Sequence, residues 1–420
     1  AQREVLQDLV TAAQYTELGR RYHYDRLFSV KSFKEAVPIH EYEDLKPYID
    51  KILAGEDSVL WNTPVEWFAK SSGTTNDKSK FIPLTTESIE ENHFHGSKDV
   101  LTIYYSALPD SDLLMGKGLV IGGSHQVHPL EENFQYGDLS AVLLQNSPFW
   151  SSFIRTPELS IALMDEWENK IESLAQSTIN EDVSSISGVP TWTMVLLKRI
   201  LEISGKKNIK EVWPNFEVYI HGGVSFTPYK NEFNKLIGPG CNYVEIYNAS
   251  EGFFAAQDRI NEEGMLLFLE HGIFYEFMPT EEYGKENPRT IGLDKVELGK
   301  NYAIVISTNG GLWRYLVGDT IQFTTLAPFR IKVSGRLKQF INAFGEEVIA
   351  DNTDRAISDA CAAFDLTLID YTAAPIYMSD KNSGAHEWLI EFEKVPKDLN
   401  AFTICLDKNL QSLNSDYEAK

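Results

Sequence analysis

Cysteine is scarce: Cys241, Cys361 and Cys405 are the only three in 420 residues. An odd, widely spaced set makes neither a disulfide framework nor a zinc spacing, which points to a reducing compartment and makes the cytoplasm the expected location. Cations are also in short supply, 38 Lys and Arg against 61 Asp and Glu, for a net charge of −23. A surface of that sign excludes a general nucleic-acid or anionic-membrane binder. Apolar runs long enough to span a bilayer are missing, and no signal peptide is visible after Ala1. Repeats, low-complexity tracts and the G-x-x-x-x-G-K-[ST] spacing of Walker-type loops are lacking too. At 43% hydrophobic and 12% aromatic residues, the composition is nevertheless that of an ordinary folded protein. Its length suggests a large domain plus a smaller one, and nothing demands an oligomer, so a monomer is expected.

What is present is a run of hydroxyls around a glycine, Ser71-Ser72-Gly73-Thr74-Thr75, followed by Lys78 and Lys80. Such a turn offers several backbone N–H groups and four hydroxyls to phosphate oxygens, with ammonium charge beside them. Gly73 admits a positive φ and a close ligand approach. An ordinary solvated Ser/Thr turn capping a helix has the same composition. An acidic protein that handles an anionic nucleotide must concentrate its few cations or bring in a metal ion, and Lys78 and Lys80 meet that need.

Residues 1–70 read as helices broken at Pro38, Pro47 and Pro64. Thr85 or Thr86 caps a helix that begins at Glu87 and runs towards Tyr105. Thr156-Pro157-Glu158 opens another, with Leu159, Leu163, Trp167, Ile171 and Leu174 at helical spacing up to Ala175. A third follows Pro190 and stops at Gly205. Strand texture then takes over at 217–221, which runs into Gly222-Gly223, and continues at 243–247, 265–277, 302–307 and 329–333. Strands mixed with long helices mean α/β architecture, with ligands expected at strand ends. A hinge-like segment at Gly335 opens a second, smaller domain, giving boundaries of 1–334 and 335–420.

Three further segments carry candidate chemistry. Tyr247-Asn248-Ala249-Ser250-Glu251-Gly252 brings an aromatic, a hydroxyl and a carboxylate to one strand end. A tyrosine ring stacks on purines, and one carboxylate with phosphate oxygens suffices for Mg²⁺. Alternatively, the segment is a strand-end turn with an exposed acid. Trp313-Arg314-Tyr315-Leu316-Val317-Gly318-Asp319 places an aspartate where it could accept both ribose hydroxyls, or equally on a surface turn. Gly335-Arg336-Leu337-Lys338 puts two cations at the domain boundary, where they meet a nucleotide or are simply solvated. Other features carry less. His125 and His128 have no evident partner ligand, and His386-Glu387-Trp388 lacks the second histidine of a zinc-protease motif because position 390 is Ile. Ser72 has no G-x-S-x-G elbow.

These segments, in this order, resemble the adenylate-forming superfamily and, more closely, the Gretchen Hagen family of acyl acid–amido synthetases, known from plant auxin and jasmonate conjugation. The chain is read as a bacterial member. Ser71 to Thr75 with Lys80-Phe81-Ile82-Pro83 matches the first family motif, Tyr247-Asn248-Ala249-Ser250-Glu251 the second, and Arg314 to Asp319 the third. Gly222-Gly223, Phe274 to Pro279 and Gly335 to Asp351 extend the likeness over nearly the whole chain.

The resemblance implies a large N-terminal adenylate-forming domain with mixed β-sheets flanked by helices, plus a small, rotating α+β C-terminal domain. It implies a carbon–nitrogen ligase: a small carboxylic acid attacks the α-phosphate of Mg-ATP, and an amino acid's amine then displaces AMP. Ser71, Ser72, Thr74 and Thr75 would hold the phosphates, with Gly73, Lys80, Gly222, Gly223 and Ala249 completing the nucleotide site. Tyr247 would lie against adenine, Ser250 would touch the nucleotide and Glu251 would hold Mg²⁺. Asp319 would bind the ribose, with Arg336 near ribose or phosphate, Lys338 at the hinge and Trp192 in the acyl pocket. One departure is that the lysine relatives carry late in the small domain is not found where the sequence stops, at Asn414 to Lys420: either the chain is truncated or part of it is missing here, and a real truncation puts the first half-reaction, not nucleotide binding, in question. Two other outcomes stay open: transfer to a thiol such as coenzyme A, and a catalytically silent nucleotide- or acid-binding protein.

Overall fold

Short runs rich in Val, Ile, Phe and Tyr fit a pleated, half-buried surface, and most of them become strands. In chain order these are β1 (Trp67–Ser71), β2 (Lys80–Leu84), β3 (Lys117–Val120), β4 (His128–Glu131), β5 (Phe134–Gly137) and β6 (Arg155–Thr156). Next come β7 (Val183–Gly188), β8 (Val218–His221), β9 (Asn242–Ala249), β10 (Gly252–Ala256) and β11 (Met265–Leu267). The rest are β12 (Ile273–Pro279), β13 (Asn301–Thr308), β14 (Tyr315–Leu326), β15 (Phe329–Arg336), β16 (Leu368–Ile376) and β17 (Ala385–Phe392). The computed structural model describes residues 1–71, 80–123, 128–131, 134–337, 341, 348–376 and 385–418, with backbone alone at 71, 128–131, 415 and 416.

Eleven strands share one sheet in the order β12-β13-β14-β15-β11-β10-β9-β8-β7-β3-β6. Neighbours from β9 to β6 run parallel. From β9 to β12 they run antiparallel. Strand β9 is the seam, and the C-terminal ends of parallel strands are where such sheets leave a crevice. The parallel half is covered by the helices Trp167–Thr178, Pro190–Ser204 and Lys230–Ile237. Their Leu174, Leu197, Ile200 and Phe233 pack with Ile186 and Tyr219. The antiparallel half takes the N-terminal helices, with Leu6, Phe33, Leu45 and Ile49 in one core with Phe277, Ile304 and Trp313. A smaller sheet, β2-β1-β5-β4, joins that core through Phe68, Ala69 and Ile82. The hairpin β16–β17 and the helices Ala350–Ala363 and Leu399–Leu413 enclose a third core around Ile357, Phe402 and Leu406. The chain is therefore α/β with mixed sheets and a smaller C-terminal α+β part, the expected class. No helix among the described residues is long and apolar enough to cross a membrane.

A buried ion pair ties these parts together. Arg314 grips Glu276 at 2.7 Å through Nε and 2.9 Å through Nη2, and its Nη1 donates to the carbonyls of Val37 and Lys34 at 2.6 and 3.1 Å. Both side chains are almost wholly buried. The arginine that looked like part of a nucleotide motif is thus a scaffold residue. It also explains why the segments around Glu276 and Arg314 belong together.

Local departures from the expected elements have identifiable causes. Pro47 does not break its helix but lies inside Tyr42–Leu53, where Leu45, Tyr48, Ile49 and Ile52 bury one face. The helix expected after Thr85 begins with a π-helical turn, Ser88–Phe94, before turning α-helical over His95–Ala107. That widened turn aims Asn92 inwards, where its amide bonds Phe253 N, Phe253 O and His271 O at 2.7, 3.2 and 3.0 Å. The helix expected from Thr156 divides into Leu159–Ala162 and Trp167–Thr178. The second of these carries Lys170, buried against the carbonyls of Gly122 and Gly123 at 3.3 and 2.5 Å; burial lowers its pKa, and Asp138 and then Asp165 partly offset that. The run 265–277 is two strands, β11 and β12, with a turn at Gly272, whose φ is +68°.

Candidate active site

Beyond the C-terminal ends of β8 and β9 a cleft of about 1250 Å³ opens between the large sheet and the C-terminal part. Strand β8 is followed by Gly222, where a Cβ would stand 2.5 Å from the carbonyl oxygen of Ile246, so only glycine fits. Gly223 follows with φ +83° and turns the chain along the cleft wall. Strand β9 delivers Tyr247, Asn248 and Ala249, and the tight turn into β10 presents Ser250 and Glu251. Lys80, first residue of β2, faces them with its ammonium 5.6 Å from the Tyr42 ring.

Asp319 and Arg336 are cross-strand partners on β14 and β15. Arg336 Nε lies 3.0 Å from Asp319 Oδ1, and the Tyr247 hydroxyl donates to Oδ2 at 2.8 Å. The aspartate is therefore held from both sides, yet each oxygen keeps a lone pair for another donor. Burial and the neighbouring carboxylate push the Tyr247 phenol well above its ordinary value, so it stays a donor. Its ring packs on Phe254 at 4.7 Å and is buried, which leaves little open face for a base. Glu251 is pushed up to about 6, chiefly by burial and then by the charge of Asp319, while Lys80 and Arg336 pull it down. A half-buried carboxylate among so few cations is a hard-oxygen site that a divalent ion would neutralise.

The same cleft holds residues that the sequence reading passed over. Glu245 on β9 is pushed up to about 7 by burial and by repulsion from Glu263 and Asp351, eased by Lys332. Lys332 bridges Glu263 at 3.0 Å and Asp351 at 3.2 Å, reaching from the large sheet to the first turn of the helix Ala350–Ala363. His221 stacks on Phe226 at 4.2 Å and is kept neutral by burial, its value falling to about 3. A charged residue inside an otherwise apolar strand is the signal that could have flagged Glu245.

The structure brings Lys80, Gly222, Gly223, Tyr247, Ala249, Ser250, Glu251, Asp319 and Arg336 to one cleft. Trp192 is not on its lining: it packs on Trp167 at 5.2 Å against the core of the parallel half. Ser71 ends β1, an inner strand of the small sheet, whereas Ser72, Gly73, Thr74, Thr75, Lys78 and Lys338 lie outside the described residues, as does His125.

Comparison with known proteins gives this arrangement a family. Residues 1–241 match the GH3 family N-terminal domain, 266–336 the GH3 family central domain and 351–420 the GH3 family C-terminal domain. The chain belongs to the GH3 family. Indole-3-acetic acid-amido synthetase GH3.3 of Arabidopsis thaliana is 22% identical over 99% of this chain and 81% of its own length. The solved GH3.15 acyl acid amido synthetase superposes with a TM-score of 0.80 at 18% identity, over 98% of this chain and 82% of that one. A 2-hydroxyisobutyryl-CoA ligase in its postadenylation state, with R3-HIB-AMP, shares the fold at a TM-score of 0.64 and 12% identity, over 98% and 83%. The curated relative is a plant protein, so the expected bacterial origin finds no support there.

Proposed function

We propose that this GH3 chain is an ATP-dependent acyl acid–amido synthetase that activates a small carboxylic acid as its adenylate and passes the acyl group to an amino acid. The observation that carries the reading is Asp319, fixed between Tyr247 and Arg336 in a cleft that also holds Glu251 and Lys80. A carboxylate oriented in advance accepts the paired hydroxyls of a ribose without further ordering cost. Arg336, half exposed and with no ion pair beyond Asp319 among the described residues, has its Nη donors available for phosphate. In this reading Tyr247 acts mainly by orienting Asp319. Glu251 would hold a Mg²⁺ ion, whose chemistry when bound would be to offset phosphate charge. By the family resemblance, the hydroxyl-rich segment 71–75 would supply phosphate donors and Lys338 would be the hinge position of residues 335–420.

In the first half-reaction an acid oxygen attacks the α-phosphorus and pyrophosphate departs. In the second, the amine attacks the acyl carbon, AMP departs and the amine proton passes to solvent. Neither step needs a protein nucleophile; the protein positions reactants and neutralises charge. A monomer without nucleic-acid or membrane partners suits the net charge of −23.

ATP–pyrophosphate exchange across a panel of aryl and aliphatic acids tests the first step. Product analysis with amino acids and coenzyme A in competition tests the second. Exchange with one acid and an amide product support the reading. Thioester formation replaces its second half, and AMP binding without exchange for any acid replaces it with a nucleotide-binding protein.

A further inference from the structure

Away from the cleft, the helix His95–Ala107 and the turn between β11 and β12 share a second cluster of ligand-type side chains. His95 and Asp99 lie one helical turn apart, and His271 comes from the β11–β12 turn; one donor atom from each falls within 4.8 Å of the others. None of the three lines the cleft. The His271 imidazole is buried, while Asp99 is 32% and His95 50% exposed, so the cluster has a closed floor and an open side.

The distances separate an ordinary pair from a ligand set. Asp99 Oδ2 lies 3.1 Å from His271 Nε2, and Asp99 Oδ1 lies 3.9 Å from His95 Nε2. The second separation is too long for a hydrogen bond. It is within the span of two bonds to a shared ion, since ligands about 2.0–2.1 Å from a tetrahedral centre sit about 3.3 Å apart and further apart as the angle opens. The two imidazole rings are stacked face to face, their centroids 4.5 Å apart and their planes 14° from parallel. Two imidazoles and a carboxylate are a borderline-soft nitrogen and oxygen set that suits zinc and its neighbours better than Mg²⁺.

We propose that His95, Asp99 and His271 form a binding site for one divalent transition-metal ion, with Zn²⁺ the natural occupant and remaining positions filled by water. The site would fasten the start of the helix His95–Ala107 to the β11–β12 turn. Its surroundings lead back to the active site. The His271 carbonyl accepts from Asn92, whose amide also holds both backbone groups of Phe253, two residues beyond Glu251. An ion here would brace the floor beneath the Glu251 turn without touching nucleotide.

The test uses the tag-free full chain, with Co²⁺ as a spectroscopic probe and Zn²⁺ in calorimetry and thermal unfolding. The expected result is one equivalent bound, visible absorption from bound Co²⁺, and a midpoint raised by a few degrees with Zn²⁺. His95→Ala, at an exposed position, and Asp99→Asn, at a half-buried one, should each weaken binding at least about tenfold and abolish the thermal shift. A double variant, His125→Ala with His128→Ala, should bind as the parent does. Undiminished binding in the first two variants, loss of binding in the double variant, or no binding by the parent overturns the proposal.

Discussion

Asp319 and Glu251 stand a short distance apart in one cleft, yet they call for different experiments. Asp319 already has both oxygens occupied by protein donors, so Asp319→Asn retains the shape and loses the charge that Arg336 and Tyr247 orient. AMP affinity measured by calorimetry should fall at least tenfold, about 1.4 kcal/mol or more. An unchanged affinity would remove the ribose role. Glu251, pushed up to about 6, binds a proton as the pH falls through that value and then cannot hold a cation. Mg-dependent turnover should therefore decline below about pH 6 and be sustained above it. Glu251→Gln should cost at least about tenfold at pH 8, lose the acidic limb and leave AMP binding nearly intact. If the limb survives in that variant, the group titrating near 6 is another residue.

Strands and turns, rather than single side chains, decide what could be read from the sequence. Strand β9 was legible because Tyr243, Val244, Ile246 and Tyr247 make a short β-rich run that stops at a polar turn. The helix Pro190–Ser204 was legible from its ends, proline at the first turn and Gly205 with φ +65° as the cap. Strand β14 was not: Gly318 and Asp319 look like a turn, and only pairing with β13 and β15 makes Tyr315–Leu326 one strand. The π-helical turn left no sequence mark, because its cause is Asn92 meeting residues more than 160 positions away. The Arg314–Glu276 pair was likewise invisible, being a contact between β12 and the start of β14. Glu276→Ala leaves a buried guanidinium without its carboxylate and should cost about 3–5 kcal/mol in denaturant unfolding. A loss under about 1 kcal/mol would mean that the backbone carbonyls of Val37 and Lys34 hold Arg314 unaided.

At the scale of the molecule, polar contacts dominate the join between the two parts. Besides Lys332–Asp351, Lys235 meets Asp365 at 3.7 Å, Lys198 meets Glu393 at 3.8 Å, and Thr367 donates to Glu232 at 3.2 Å. Interfaces of this kind permit relative motion. Glu245 is expected to make the arrangement pH-dependent: burial, then Glu263 and, from the smaller part, Asp351 raise its value from 4.5 to about 7, so the protonated form favours this orientation, a preference present below the ordinary value and lost once the pH has risen through about 7. Small-angle scattering should show a shift in the orientation of the two parts developing between about pH 4.5 and 7 and complete above 7, absent in Glu245→Gln. A pH-independent profile in the parent would exclude Glu245 as its source. The N-terminal helices follow a different rule. His40 exchanges backbone hydrogen bonds of 2.9 Å with Arg314 and Leu316, and Trp313 donates to the carbonyl of Leu60 at 3.0 Å. Their partners emerge from the ribosome some 250 residues later, roughly 12–50 s at ordinary synthesis rates. Throughout that interval Leu6, Phe33 and Ile49 have no β12–β14 surface to cover them, so these helices are made long before the strands that bury them and keep their apolar faces open until those strands arrive.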